Sequence, residues 1–422
     1  MEPPVKPPTD VRMRGFAHRS TVKQAVNWID AQSGKLAHEA VSLWRAAGRV
    51  LASDVVSNRN VPEITRSMMD GYALRAAETQ GASPYNRLEF EIVGQSLPGQ
   101  PFVGEVQSGQ AVRIMTGAPL PVGCETVLPA ERAEATTERL FALDEVSPGK
   151  NVGNPGEDIT RGTTVLSSGR VLRPQDLGIL SSLGHSTVEV IRQPRVRIVI
   201  TGNELLPAGS EPIDARIPDA NGPMLAALVQ RDGGLPILTT QHSFPNSYLV
   251  PDDRNAILAA MNSDADIVIV SGGSSVGQED HAPSLLAEHG ELAIHGIAMR
   301  PSSPTGMGRL QHRLVFLLPG NPVSCLCAYD FFAGRAIRLL GGRSPDWPHR
   351  QVRLPLARKL VSQVGRVDYA RVRLVHGEVE PIAISGASIL SSTTTADGFV
   401  IVAADSEGHA AGTEVDVFLY DQ

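Results

Sequence analysis

Between about Arg195 and Leu340 the chain alternates short runs of β-branched apolar residues with helical stretches, and several of those runs stop on glycine or proline. RVRIVITG reads as a strand, and GPMLAALVQRDGG as a helix with a glycine stop. PILTTQHS reads as a second strand, and DDRNAILAAMNS as a helix whose opening aspartates suit its positive end. DIVIVSGG is a third strand, apolar at almost every position as in a sheet covered on both faces. LVFLLPGNP is a fourth, running through a turn into the long helical stretch VSCLCAYDFFAGRAIRLLGG. Strand and helix repeated in this way predict a doubly wound parallel α/β domain over residues 191–343.

In such a sheet ligands gather outside the carboxyl ends of the strands. Three of those ends carry chemistry. TGNELLP puts Asn203 and Glu204 just after a strand. SGGSSVGQED offers Gly272, Gly273 and Gly277, which let a backbone nest of N–H groups approach an anion, and closes on the carboxylate of Asp280. LPGNPVS fixes a turn ahead of a helix whose first N–H groups attract negative charge. Asp219 and Asp252 are expected to add carboxylates from adjacent loops. Carboxylates beside an anion nest suit a phosphate together with a divalent cation, magnesium above all. Glycine turns and capping aspartates also occur in any α/β protein, so it is the convergence of three ends that points to a site.

The rest of the chain is built differently. Residues 1–15, rich in proline, predict a tail without fixed structure. From Ser20 a helical pattern begins, with a second helix expected over about Glu39 to Val50. Residues 55–149 read as short strands broken by Pro-Gly and Gly-Gln turns, a β-rich piece inserted between 16–54 and 150–190, which together form an N-terminal linker domain. Pro174 suits the first turn of a helix there. Beyond 343, YARVRLVH, GFVIVAAD and TEVDVFLY predict a C-terminal β domain over 344–422. Within the β-rich piece, RSMMDGYAL and VRIMTGAPLP can be turns closed by an Asx-type hydrogen bond.

Composition excludes some functions. With 38 basic against 45 acidic residues and no basic cluster, the chain lacks the electrostatic footprint of a nucleic-acid binder. No apolar run reaches the ~18 residues that cross a bilayer, and MEPPVKPPTD has no signal-peptide core, so membrane insertion is not expected. Cys124, Cys325 and Cys327 form neither a disulfide framework nor a zinc pattern. A reducing cytoplasm fits, and the C-x-C pair reads as buried packing.

SMMDGYAL, RIMTGAPLP, TGNELLPAG, SGGSSVGQED and LPGNPVS, in this order and supported by GEDITRG, resemble the molybdopterin molybdenumtransferase family, which includes MoeA of bacteria and the E domain of gephyrin. The resemblance runs from about Phe16 to the C-terminus. It implies an elongated homodimer whose cleft joins the α/β domain of one subunit to the β-rich piece of the other, with Asp70 and Thr116 reaching into it. It implies insertion of molybdate into adenylylated molybdopterin (molybdopterin-adenylate) with magnesium-dependent release of AMP. Gly272, Gly273, Ser274 and Gly277 would then hold the nucleotide phosphates, and Glu204, Asp252 and Asp280 the cation and the reacting groups. Molybdate would lie near Pro319, Gly320, Asn321, Pro322 and Ser324, with Arg300, Arg371 and Ser388 as charge and hydroxyl partners.

Where many family members have the pattern K-x-x-x-K-P-G-K-P, this chain reads GIAMRPSSPTGMG, with Gly296, Arg300 and Ser303 at the lysine positions. Asn203 stands where the family has aspartate. Gephyrin supplies the alternative of a scaffold with a weakened pocket that binds a short peptide of a membrane receptor or a tubulin-like cytoskeletal protein.

Overall fold

The computed structural model describes residues 19–238, 248–273 and 280–420. The chain divides into two compact units. One comprises residues up to Val41, Gly48–Ala52 and everything from Glu189 onward; the other comprises Ser42–Ala47 and Ser53–Val188.

The second unit is built on a six-stranded sheet in the order Thr126–Pro129, Gly71–Leu74, Gln110–Ile114, Leu88–Ser96, Arg139–Ala142, Ala133–Ala135. Tyr72, Leu74, Phe90, Leu128 and Leu140 form its core on one face, while Ala73, Ile114 and Val127 pack on the other. Pro174 opens the helix Pro174–Ser182 as expected.

The helix expected over Glu39–Val50 does not form. The segment is a strand, His38–Ser42, followed by a single 3-10 turn, Leu43–Arg45. A helix there would need one continuous buried stripe, whereas Trp44 is 97% exposed.

In the first unit, strands β1 (Arg195–Thr201), β2 (Leu235–Ile237), β3 (Leu249–Val250), β4 (Ile267–Ser271), β5 (Glu291–His295), β6 (Gly306–Leu310) and β7 (Arg313–Leu318) make one sheet. Its order is β2-β1-β4-β7-β6-β5, with β3 also on β1. The pairs among β1, β2, β3, β4 and β7 are parallel. The far edge departs from the parallel expectation, because β6 pairs antiparallel with both β7 and β5. That hairpin requires close backbone approach: a Cβ on Gly308 would stand 1.8 Å from the Glu291 carbonyl oxygen.

The sheet alternates between two cores. Ile198, Ile200, Ile269 and Phe316 face helices α1 (Asn221–Arg231), α4 (Pro322–Ala328) and α5 (Gly334–Leu340), while Val199, Val268, Val270 and Leu317 face α2 (Arg254–Met261) and α3 (His281–His289). This two-sided burial is why the strands read as unbroken apolar runs. Cys325 and Cys327 are fully buried in the first of these cores, and burial pushes the Cys325 thiol up to about 12.

The C-terminal strands β8 (Gln351–Pro355), β9 (Val367–Val375), β10 (Glu378–Ala383), β11 (Gly398–Val402) and β12 (Glu414–Leu419) form a second sheet, which Met299–Arg300 joins beside β9. One face holds its own core of Ala370, Val372, Val400 and Val417. The other presents Tyr369 and Phe399, which are packed into the α/β core beside Phe331 and Trp347.

Candidate active site

The strand order reverses direction between β1 and β4, and a cavity of about 870 Å³ opens at that switch point, lined by the ends of β1, β4 and β7. Glycine makes the convergence possible. Gly272, at φ +100°, lies so close to β1 that a Cβ would stand 2.1 Å from the Thr201 carbonyl oxygen. Across the opening, Asn221 at the start of α1 donates from Nδ2 to Ser271 Oγ at 3.0 Å and to the Gly320 carbonyl at 2.7 Å. It pins two strand ends to one helix, a role not read from the sequence.

Glu204, Asp219, Asp252 and Asp280 all line this cavity, and its described lining contains no Arg, Lys or His. The four carboxylates are not equivalent. Asp219 accepts from the backbone N–H of Asn221 and Gly222 and, at 2.7 Å, from the Tyr248 hydroxyl, so it serves the start of α1. Burial and this bond to Asp219 push the Tyr248 hydroxyl up to about 12. Asp252 accepts from Thr201 Oγ1 with one oxygen and from Asn203 N–H at 2.9 Å with the other. It therefore ties β1 to the loop after β3.

The expected ion cage of Glu204, Asp252 and Asp280 is accordingly not assembled: among the described residues no three His, Cys, Asp or Glu side chains converge to hold a metal. Glu204, exposed and folded back toward Gly202, and Asp280, with a carboxylate oxygen 3.8 Å from where a Gly273 Cβ would stand, remain the groups facing the opening. Two carboxylates still suit magnesium, which keeps several waters and takes further oxygens from phosphate. Ser274 and Gly277 of the expected nest lie outside the described residues.

A second cavity, about 670 Å³, adjoins the first and shares Pro304, Pro319 and Asn321 with it. Its charge is opposite. Arg19, Arg300 and Arg366 line it together with Ser302, Ser303, Ser324 and Ser385, and its described lining holds no carboxylate. Fully buried Asp368 sits behind it, accepting from Arg300 at 2.5 and 3.1 Å and from Ser362 Oγ at 2.6 Å, with Arg366 at 3.4 Å. Three guanidiniums against one carboxylate leave two positive charges facing the cavity. Ser303 Oγ, at one of the substituted lysine positions, is buried and has no hydrogen-bond partner among the described residues.

Three expectations for the oxyanion site change. Arg371 does not reach either cavity: it is fully buried, and its guanidinium donates to the carbonyls of Ala383, Ser385 and Gly386. Burial lowers its pKa, and its work is to hold the turn that carries Ala387 and Ser388. Ser388 lines the acidic cavity, not the basic one. The first N–H groups of α4, those of Val323 and Ser324, are already taken by the Ala387 carbonyl. Arg300 and Ser324 do line the basic cavity, whereas Gly320 and Pro322 line the acidic one. Arg19 and Arg366 were missed because neither stands in a glycine-rich strand end.

In the second unit Asp70 and Thr116 meet. Asp70 Oδ1 accepts from Thr116 N–H and from its hydroxyl, each at 2.7 Å, where Gly71–Leu74 pairs with Gln110–Ile114. The two donors hold the Asp70 carboxyl below its ordinary range. The bond joins the two motifs across 46 residues, in place of the local Asx-type turn that each could have made alone.

Comparison with known proteins bears on all of these segments. The MoeA N-terminal region (domain I and II) matches residues 20–184, the probable molybdopterin binding domain 197–338 and the MoeA C-terminal region (domain IV) 353–420. A Mycobacterium tuberculosis protein named molybdopterin molybdenumtransferase 2 is 33% identical over 90% of this chain and 94% of its own length. The chain belongs to the MoeA family. A Staphylococcus aureus molybdopterin molybdenumtransferase is 30% identical over 94% of this MoeA-family chain and 95% of its own. The crystal structure of the molybdopterin biosynthesis moeA protein from Pyrococcus horikoshii OT3 covers 96% of it, and 100% of that chain, with a TM-score of 0.74 at 30% identity. Apart from Arg19, the residues lining the two cavities lie within the two MoeA-family regions 197–338 and 353–420.

Proposed function

We propose that this chain is a molybdopterin molybdenumtransferase of molybdenum cofactor biosynthesis, joining molybdate to adenylylated molybdopterin and releasing AMP. The observation that carries the reading is the pair of abutting cavities of opposite charge at the switch point of a MoeA-family sheet. A dianionic oxyanion suits the chamber of Arg19, Arg300 and Arg366, where guanidinium forks match its oxygens and Ser303 and Ser324 add hydroxyls. Arginines supplied by three places in the chain replace the charge missing at Gly296 and Ser303. The adenylylated ligand suits the larger, acidic chamber, where Gly272 and Gly273 allow close approach of phosphate to backbone. Glu204 and Asp280 would hold magnesium there, which offsets phosphate charge when bound. Asp252 and Asp219 keep the strand ends in place, and Asn221 fixes the wall opposite.

The homodimer belongs to the same reading, with Asp70 of the partner subunit and Thr116 of the partner subunit completing the site. The comparisons lend no support to the peptide-binding scaffold: the relatives carry the names of a transferase.

Rescue of a cell lacking its own transferase tests both parts. The unaltered chain should restore molybdoenzyme activity, and Asp70→Ala and Asp280→Ala should each fail. Expressed together, the two variants should recover about a quarter of the activity, since half the dimers are mixed and each of those carries one intact site. No rescue by the unaltered chain contradicts the enzyme reading, and no recovery by the mixture contradicts the shared site.

A further inference from the structure

Of the three residues common to both cavities, Pro304 and Pro319 carry no side-chain donor or acceptor. Asn321 is therefore the one polar side chain that borders both chambers among the described residues. It is exposed and stands directly before α4, yet it does not cap that helix. The protein has other means for the tasks nearby: the Ala387 carbonyl takes the Val323 and Ser324 N–H groups, and Asn221 holds the Gly320 carbonyl. Among the described residues the Asn321 amide has no hydrogen-bond partner. Its backbone is fixed all the same. Pro319 and Pro322 bracket it, and its own carbonyl accepts from Cys325 N–H at 2.9 Å.

A primary amide suits such a boundary. It has two donors on nitrogen and an acceptor on oxygen, and no net charge. A carboxylate there would repel an oxyanion, and an ammonium would be drawn to the acidic side. With the backbone fixed and only two side-chain torsions to order, little entropy is lost when the amide engages.

We propose that Asn321 couples the two chambers. Its Nδ2 donates to the oxyanion held by the arginines, while its Oδ1 accepts from a hydroxyl, amine or bound water of the ligand in the carboxylate-lined chamber. Each ligand then orients the amide for the other, so that both bind more tightly together than apart. The inference rests on the assignment of an oxyanion to one chamber and a nucleotide-bearing ligand to the other.

Sodium molybdate and AMP serve as probes, with titration calorimetry of the full-length chain in magnesium. In the unaltered protein each should tighten the other by about tenfold, equally in both directions because coupling is reciprocal. Asn321→Ala should weaken each probe alone by up to about tenfold through the lost amide contact and show no mutual tightening, so that each binds equally well with or without the other. Asn321→Asp should weaken molybdate alone by about tenfold and AMP alone little. Mutual tightening that survives in Asn321→Ala overturns the inference, since it would make Asn321 an ordinary ligand of a single chamber. Absence of tightening in the unaltered chain overturns it too. If the unaltered chain binds neither probe, it is the assignment of the chambers that fails.

Discussion

Asp368→Ala should lower the thermal midpoint of the unit that carries the C-terminal sheet by about 6–12 °C, equivalent to about 3 kcal/mol. Asp368 is fully buried and accepts from Arg300 and Ser362 with Arg366 beside it. Its removal leaves guanidiniums without their counter-charge, a loss that in buried pairs costs about 3–5 kcal/mol. The lower end applies because the Arg300 and Arg366 side chains keep 30% and 31% of their surface exposed and can turn to water. The same change should weaken molybdate binding about tenfold, although it raises the local positive charge, because arginines that are no longer fixed must be ordered anew. Scanning calorimetry and a molybdate titration check both parts. A shift below about 2 °C would show that Asp368 does not anchor the chamber.

Asp280→Ala should reduce AMP release by about a hundredfold or more. The carboxylate lies at the mouth of the Gly272–Gly273 turn and does not cap α3 with its side chain. Asp280 and Glu204 line the acidic chamber beside the Gly272–Gly273 turn, where their carboxylates can act on a cation and phosphate. About 3 kcal/mol of charge stabilisation is about a hundredfold in rate. Steady-state assays across magnesium concentrations decide the matter. Activity within threefold of the unaltered chain would remove Asp280 from the chemistry.

Much of this architecture was legible in the sequence because the physics behind it is local. Apolar runs such as IVIVS announce a sheet buried on both faces, and the glycines that follow mark where strand ends approach one another. The hairpin of β5 and β6 was not legible, since GMGRL has glycines where a strand pattern needs side chains, and they are there to admit a neighbouring backbone. Arg371 misled for a related reason: residues 368–372 of β9 are buried on both faces, so alternation gives no sign of which way an arginine points. The four carboxylates do line one cavity, but their division into Asp219 and Asp252, which hold the frame, and Glu204 and Asp280, which line the mouth, depends on donors from other elements. Of the basic chamber only Arg300 and Ser324 were read from the sequence, because Arg19 and Arg366 join Arg300 only in the folded chain, where Asp368 ties Arg300 and Arg366 from behind.

The most direct test of the account is AMP release from adenylylated molybdopterin by the purified chain in the presence of magnesium, with and without molybdate. The account predicts release that rises with molybdate, saturates and disappears when magnesium is removed. Binding of the adenylylated ligand without any release, or release indifferent to molybdate at every concentration, would contradict it.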